Sequence, residues 1–327
     1  MLGLLLAEFK SQVLKFKKDS PFKVFKRIFA HDGCSMGLHK GLKNAFPGRF
    51  SETSPAAIEL HCTMDLLNDS PDTHAERQYM PDWTDQSSVL GLLDCGYFDT
   101  QQMDQWSASN VHYIVRASIS INPEIVACSS NPKLVGKKLK DAYSKFKQRQ
   151  PTDLQVRWKG CEHNVRLIVR WNRDQKQFES LATNLQEDQF SADDVRQGYR
   201  LRWQIELLFK EWKSLTNLKK INTRNPEIAE GLIWASLIGA LLRRIMAYQS
   251  EQVVDRVLST WQASKLGTSQ ITEYWRWFVR KYTDRAKECW DQLMWLWGEE
   301  AGRQNKKRDN KKGRCNSGLV MTPTLNV

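Results

Sequence analysis

The chain has 327 residues, of which 41% are hydrophobic and 13 are tryptophan, and its 49 Lys+Arg against 37 Asp+Glu give a net charge of +12. This composition is typical of a folded basic protein and excludes both a disordered chain and a small disulfide-rich one. The longest uncharged apolar stretch, 231–242, is shorter than the roughly 20 residues that cross a bilayer, so no membrane partner is expected.

The charge and the cysteines indicate the compartment and the partner. The seven cysteines are far apart and form no CxxC pair, which is typical of reduced thiols, so a cytoplasmic location is expected. A strongly basic cytosolic protein usually has nucleic acid as its polyanionic partner. The alternative is a basic surface that only maintains solubility.

The amino-terminal part predicts a helix followed by a strand. Residues 5–27 combine apolar and lysine positions in the pattern of a basic amphipathic helix. Residues 28–32, with the sequence IFAHD, predict a short buried strand, and Gly33 is expected to end it. This reading puts Asp32 at the end of a strand.

Two further strands are predicted before residue 100. Residues 58–66 alternate strictly between apolar and polar side chains, which indicates a half-buried strand. Residues 89–93 are continuously apolar, as in a central strand, and Asp94 follows them directly. Residues 100–107 then predict a helix, and 111–119 predict a return to strand.

A basic hairpin is predicted in the middle of the chain. Residues 154–159 and 165–171 alternate in character, and 160–163 supply the turn that joins them. One face of this hairpin is apolar, and the other carries four cations that could lie along DNA phosphates: Arg157, Lys159, Arg166 and Arg170. The alternative is a solvated sheet face.

The second half of the chain is helical in pattern. Ser191 is a candidate N-cap for a helix that continues to Leu218, and a second helix is predicted over 226–249. A third helix, 271–300, carries five tryptophans. The basic tail from residue 302 is expected to be disordered.

One face of the predicted 191–218 helix carries a column of polar side chains. Tyr199, Glu206 and Lys213 are seven residues apart, and Arg202 lies one turn after Tyr199. Seven residues nearly complete two helical turns, so the four side chains point the same way. Considered alone, the column is explained by ordinary ion pairs along a helix.

The spacing and three sequence blocks together indicate a family. In chain order the blocks are HDGCSMGLH, LGLLDCGYFD and YRLRWQIELLFKEWK, and this order is itself characteristic. Over about residues 28–250 the chain resembles the DDE transposases of bacterial insertion sequences, in the family founded by insertion sequence four.

The resemblance implies an α/β fold with a ribonuclease-H-like catalytic core, a mixed sheet flanked by helices, a β-rich insertion and a helical carboxy-terminal region. The implied divisions are a lead-in (1–27), a first core part (28–116), the insertion (117–182), a second core part (183–260), the helical region (261–301) and a basic tail (302–327). The tryptophan-rich carboxy-terminal helix fits a dimerisation element, and the plain alternative is core packing.

The resemblance also implies the chemistry. Asp32, Asp94 and Glu206 would be the catalytic residues and the ligands of Mg²⁺ or Mn²⁺, which favour sites made only of oxygen ligands. Two such ions roughly 4 Å apart activate water or a DNA 3′-hydroxyl for in-line attack on phosphorus. The implied function is cut-and-paste transposition by DNA cleavage and strand transfer.

DNA contacts and assembly are implied in the same way. Tyr199, Arg202 and Lys213 would bind phosphates near the cut, and an Arg fork with a Lys point charge suits that task. Trp203 would either pack against DNA or belong to the core. The partners would be double-stranded DNA, as transposon ends and target, and a second copy of the chain in a homodimeric synaptic complex, near the nucleoid.

The chain departs from the family pattern at its amino terminus. Only 31 residues precede Asp32, where relatives carry a helical DNA-recognition domain. The alternative function is therefore a truncated, non-catalytic DNA-binding remnant that inhibits a full-length transposase. A weaker alternative is a host nuclease of the same fold.

Overall fold

The computed structural model describes residues 15–16, 20–50, 52–67, 70–74, 80–118, 120–146, 150–216, 218–254, 260–266, 268–301 and 319–320. The strands are β1 (Lys15–Phe16), β2 (Arg27–Gly37), β3 (Pro47–Phe50), β4 (Ser54–Asp65), β5 (Ser70–His74), β6 (Val89–Leu93), β7 (His112–Ala117), β8 (Glu124–Ala127), β9 (Thr152–Arg157), β10 (Val165–Asn172), β11 (Gln177–Thr183) and β12 (Leu319–Val320). The α-helices are α1 (Thr100–Ala108), α2 (Leu139–Ala142), α3 (Ala192–Tyr199), α4 (Trp203–Leu215), α5 (Pro226–Val254), α6 (Thr260–Lys265), α7 (Thr268–Val279) and α8 (Thr283–Glu300).

Ten strands form one mixed sheet, in which the order is β3-β4-β2-β6-β7-β11-β10-β9-β8 and β5 pairs with β4. Strand β6 pairs in parallel with β2 on one side and with β7 on the other. All five residues of β6 are buried, as expected of a strand covered on both faces. The prediction of a central strand over 89–93 is confirmed.

Helices cover both faces of the sheet. On one face, Ile205 and Leu208 of α4 and Leu237 of α5 pack with the strands in one buried apolar cluster. On the other face, Trp106 of α1 packs in a second cluster with Trp83, and their rings stack at 5.3 Å. The result is a mixed α/β architecture with helices flanking a large sheet, which is consistent with a ribonuclease-H-like fold.

Strand β2 is longer than predicted. The prediction that Gly33 ends the strand is wrong, because β2 continues to Gly37 as the antiparallel partner of β4. Its parallel pairing with β6 does stop at His31, opposite Leu93. Asp32 therefore lies at the end of the parallel part of the sheet, within a strand that continues beyond it.

The predicted helix over 191–218 is divided. Ser191 caps its start, since the Ser191 hydroxyl accepts from the backbone of Asp194 and the Asp194 side chain accepts from the backbone of Ser191. A 3₁₀ turn, Arg200–Arg202, separates α3 from α4. The capping prediction is confirmed, and the single uninterrupted helix is corrected to two helices.

The predicted helix over 271–300 is also two helices, α7 and α8, joined through Lys281. That residue adopts a φ of +62°, a conformation that a continuous helix excludes. The antiparallel pair packs through aromatic side chains, with the rings of Tyr274 and Trp290 at 5.5 Å.

The ends of the chain differ from their predictions where they are described. Residues 5–14 of the predicted lead-in helix and 302–318 of the predicted tail lie outside the described residues. Within the lead-in, Pro21–Val24 is a 3₁₀ turn rather than part of a long helix, and the extended backbone of Phe25 ends it. Leu319–Val320, in the tail predicted to be disordered, pairs with β1.

Among the described helices, none combines the length and the apolar character that a membrane span requires.

Candidate active site

Asp32 is held at the centre of the site by one backbone and one side-chain donor. The backbone N–H of Gly33 donates to its Oδ1 at 2.8 Å. Arg202 donates through Nη1 to its Oδ2, also at 2.8 Å. The Asp32 side chain is 18% exposed, so one edge of the carboxylate faces the solvent.

Asp94 lies at the end of the neighbouring parallel strand. It follows β6 directly, and β6 pairs with β2 up to the residue before Asp32. The carboxyl ends of parallel strands meet at one edge of the sheet, and this brings Asp94 beside Asp32. The hydroxyl of Tyr199 donates to Asp94 Oδ1 at 3.3 Å.

Glu206 completes the set from the helical layer. It lies in the first turn of α4, one turn after Arg202, and Arg202 donates to it through Nη2. One guanidinium thus bridges Asp32 on the sheet and Glu206 on the helix. The bridging side chain is only 11% exposed, so water screens these charges weakly.

One donor of the Arg202 side chain is unsatisfied among the described residues. Its Nε is buried and has no hydrogen-bond partner within the part of the chain that the structure describes. A buried N–H without a partner costs free energy.

The three carboxylates act on one another electrostatically. Burial raises the pKa of Asp32, and the negative charges of Asp94 and Glu206 raise it further. The Gly33 N–H and the Arg202 guanidinium lower it, without cancelling the rise. A cation bound beside Asp32 would therefore stabilise its charged form.

The residues fit a divalent cation by their chemistry, because an all-oxygen set of three carboxylates suits Mg²⁺ or Mn²⁺. Among the described residues, no three His, Cys, Asp or Glu side chains are already arranged around one metal position. The guanidinium of Arg202 stands between Asp32 and Glu206 instead. A metal ion bound to both carboxylates would have to displace it.

Two clefts meet at Asp32. One has a volume of about 430 Å³ and is also lined by Asp94, Glu59 and Arg49. The other has a volume of about 390 Å³ and is lined by Glu206, Lys210 and Lys213. Asp32 is thus accessible from both sides, and cationic side chains border each cleft.

A pair of side chains beside Asp32 was not predicted from the sequence. The Nδ1 atom of His61 and the hydroxyl of Tyr97 lie 2.8 Å apart, over the backbone of Gly33. The signals for both were present. Tyr97 lies three residues after Asp94, and His61 is on the polar side of the alternating strand over 58–66.

The predicted phosphate-binding residues surround the carboxylates. Tyr199 and Arg202 contact them, and Lys213 lines a cleft with Asp32 and Glu206. Trp203 is 57% exposed, so the alternative that it belongs to the core is wrong.

The predicted basic hairpin exists, but its cations do not share one surface. Strands β9 and β10 pair antiparallel, as predicted. Arg157 is exposed and donates through Nε to Asn164, and Lys159 and Arg170 are also exposed. The prediction that Arg166 belongs to a DNA-facing surface is wrong, since it is 2% exposed.

Arg166 is a structural residue. Its guanidinium pairs with Asp153 at 2.6 Å and donates to the backbone carbonyls of Leu185 and Phe190. It lies on the same face of β10 as Ile168, which packs in the apolar cluster beneath α3 and α4. The helices therefore cover the part of the hairpin face that alternation alone would leave in solvent.

The sequence of this chain is similar to those of several known proteins. The family described as "Transposase DDE domain" matches residues 23–242. The putative transposase InsL for insertion sequence element IS186A of Escherichia coli (strain K12) is 50% identical over 62 residues, which cover 19% of this chain and 17% of that protein. The transposase for insertion sequence element IS1151 of Clostridium perfringens is 24% identical over 284 residues, covering 70% and 59%. The transposase for IS231D of Bacillus thuringiensis subsp. finitimus is 22% identical over 283 residues, covering 71% and 59%. The chain thus spans well under two thirds of the length of these curated relatives.

Proposed function

Because this chain belongs to the transposase DDE domain family, we propose that it cuts and joins DNA strands as the transposase of an insertion sequence, through Asp32, Asp94 and Glu206. One observation carries the proposal. A single guanidinium, that of Arg202, bridges Asp32 and Glu206, which come from opposite ends of the family match. Tyr199 holds Asp94 beside them.

The three carboxylates would hold Mg²⁺ or Mn²⁺. When bound, a pair of such ions supplies Lewis-acid activation of water or of a DNA 3′-hydroxyl and stabilises the leaving oxygen of an in-line displacement. The protein's own part is to fix three oxygen donors at one edge of a rigid sheet and on a helix packed against it. No side-chain nucleophile is required.

Arg202 would change partners when DNA enters. Its planar fork, now on Asp32 and Glu206, matches the geometry of a phosphate group equally well. Tyr199 would keep Asp94 oriented. Lys213, which lines the neighbouring cleft, would bind the phosphate through its ammonium group. These residues would position the scissile phosphate over the carboxylates.

Trp203 would contact the DNA next to this phosphate. Its large exposed ring is adjacent to Arg202 in sequence and is available for packing against a sugar or a base. Of the hairpin cations, the exposed Arg157, Lys159 and Arg170 remain candidates for DNA contacts.

The proposed partners are double-stranded DNA, as transposon ends and target, and a second copy of the chain. Pairing of two ends requires two catalytic centres, which a homodimer supplies. Exposed aromatic and apolar side chains on the α7–α8 pair, among them Phe278 and Trp295, would support such an interface. A cytoplasmic protein near the nucleoid, with the predicted division into core and insertion, would fit this role.

The test uses duplex DNA carrying the terminal repeats that flank the reading frame. We expect strand cleavage that requires Mg²⁺ or Mn²⁺, and we expect Glu206→Gln to abolish cleavage while DNA binding is kept. The matched control is Glu299→Gln, which changes an exposed carboxylate on α8 and should cleave normally. Cleavage by Glu206→Gln would reject the site. Binding without cleavage by the natural chain would favour the inhibitory remnant.

A further inference from the structure

Arg196 extends the polar column of α3 and α4 by one turn. It lies three residues before Tyr199, as Tyr199 lies three before Arg202, so its side chain follows theirs along the same face. It is 29% exposed and pairs with Asp193 at 2.8 Å. It lies at the end of the column opposite to Lys213.

Two more arginines lie close to Arg196. Arg170, on β10, and Arg200, in the 3₁₀ turn, are both exposed. Burial lowers the pKa of Arg196, and the positive charges of Arg170 and Arg200 lower it further against the opposing effect of Asp193. Neither the Arg170 nor the Arg200 side chain has a hydrogen bond or an ion pair within the described ranges. Three like charges are therefore gathered, and Asp193 pairs with one of them, Arg196.

The sheet continues this group toward the carboxylates. Arg170 lies directly opposite Glu179 on β11. Glu179 accepts a hydrogen bond from Arg116 on β7 at 3.1 Å. Arg116 is close enough to Tyr199 for its positive charge to oppose the rise that burial causes in the pKa of the Tyr199 hydroxyl. The arginine strip, defined as Arg116, Arg170, Arg196 and Arg200, thus begins beside Tyr199 and extends away from Glu206.

A strip of this kind needs an external anion. Gathering four guanidinium groups costs electrostatic free energy, and Glu179 and Asp193 offset only part of it. Each guanidinium can bind a phosphate with two donors, and a DNA backbone presents phosphates in a regular row. An acidic protein surface could also satisfy the charge, but the strip is continuous with the proposed DNA site.

We propose that the arginine strip binds the DNA backbone on the side of the cut opposite to Lys213, where the flanking DNA lies. The proposal rests on the proposed function, since it takes Glu206 as the position of the cut. Arg196 and Lys213 are 17 residues apart along a nearly helical path, or roughly 25 Å. That span corresponds to about seven base pairs, with Glu206 between its ends.

The first test measures DNA binding by the full chain without added metal. The double variant Arg170→Ala/Arg196→Ala is titrated onto a 30-base-pair duplex by fluorescence anisotropy at several salt concentrations. The slope of log K against the logarithm of the salt concentration should decrease in magnitude by about 2, which is about 1 for each lost phosphate contact. The matched control is Arg276→Ala, since Arg276 also pairs with an acid three residues away but lies on α7. Its salt dependence should not change.

A variant with the opposite expected effect protects the test against misfolding. Asp193→Asn removes the acid that pairs with Arg196, so it should tighten DNA binding about threefold. An unchanged affinity in both the double variant and Asp193→Asn would overturn the proposal. An equal loss in Arg276→Ala would overturn it too, because the effect would then be one of total charge.

The second test locates the contacts. One duplex carries the terminal repeat and ends at the cleavage position, and another extends ten base pairs into the flank. The double variant should lose affinity for the extended duplex only. An equal loss for both duplexes would overturn the assignment to flanking DNA. Because neither measurement requires cleavage, failure of the proposed catalytic function would be distinguishable from failure of this inference.

Discussion

Arg202 donates to Oδ2 of Asp32 at 2.8 Å although the two residues are 170 positions apart in the sequence. The same guanidinium also binds Glu206, so a protein cation occupies the place between two of the three proposed metal ligands. The repulsion among the carboxylates, which contributes to the raised pKa of Asp32, is thereby partly relieved before any metal binds. A divalent cation bound as proposed would therefore compete with Arg202 for these oxygens.

Removal of Arg202 should make the fold more dependent on metal. In Arg202→Ala, Asp32 and Glu206 lose their counter-charge in a largely buried site, and the expected loss of stability is about 3 kcal/mol. Millimolar Mg²⁺ should raise the melting temperature of this variant by more than it raises that of the natural chain. The measurement is thermal unfolding with and without Mg²⁺. Equal metal effects on the two proteins would contradict the competition.

Arg166 and Arg170 should respond in opposite ways to alanine substitution, although they are two residues apart on β10. Arg166→Ala leaves Asp153 and two carbonyls without their buried partner, which should cost about 3–5 kcal/mol. Arg170→Ala removes an exposed charge and should cost under about 0.5 kcal/mol. Urea unfolding of the two variants makes the comparison. Similar stabilities would contradict the structural role of Arg166.

Gly33→Ala tests the packing beside Asp32. An added Cβ would lie 2.8 Å from His61 Cε1 and 2.8 Å from the Tyr97 hydroxyl, so one ring must move. We expect a stability loss of about 1–3 kcal/mol together with weaker metal binding. Gly96→Ala is the matched control, because the space around that Cβ is open. Thermal unfolding and Mn²⁺ titration are the readouts, and equal behaviour of the two variants would refute the expected clash.

His112 should contribute to acid sensitivity. Burial lowers its pKa below the ordinary 6.5, and its Nδ1 is buried without a hydrogen-bond partner among the described residues. The neutral form is therefore favoured in the folded chain, so its stabilising contribution is present above the unfolded pKa and is lost as the pH falls through the folded value. His112→Gln should lose less melting temperature between pH 7.5 and 5.5 than the natural chain. A larger loss in the variant would contradict the assignment.

Local signals in the sequence were sufficient for several parts of the fold. The apolar run over 89–93 gave β6 because a strand buried on both faces needs no polar side chains. The cap at Ser191 was readable because its partners lie within three residues. The β9–β10 hairpin followed from alternation on either side of a turn. In each case the deciding interactions are local.

Other features depend on contacts between distant parts of the chain. The extension of β2 past Gly33 is decided by its pairing with β4. The burial of Arg166 depends on which face of the sheet the helices cover, which alternation does not specify. The bridge from Arg202 to Asp32 joins two blocks that the sequence could place only in order. The motifs predict which three carboxylates matter. That the three lie close together depends on the fold and cannot be derived from the motifs.

The most direct test of the central claim is a titration of the full chain with Mn²⁺, in which electron paramagnetic resonance measures the bound and free ion. The account predicts that Asp32→Asn, Asp94→Asn and Glu206→Gln each weaken binding at least about tenfold, since each removes one oxygen ligand. Glu59→Gln, a carboxylate in the same cleft but outside the proposed set, should bind as the natural chain does. Unchanged Mn²⁺ affinity in Glu206→Gln, or an equal loss in Glu59→Gln, would contradict a cation site built from these three residues.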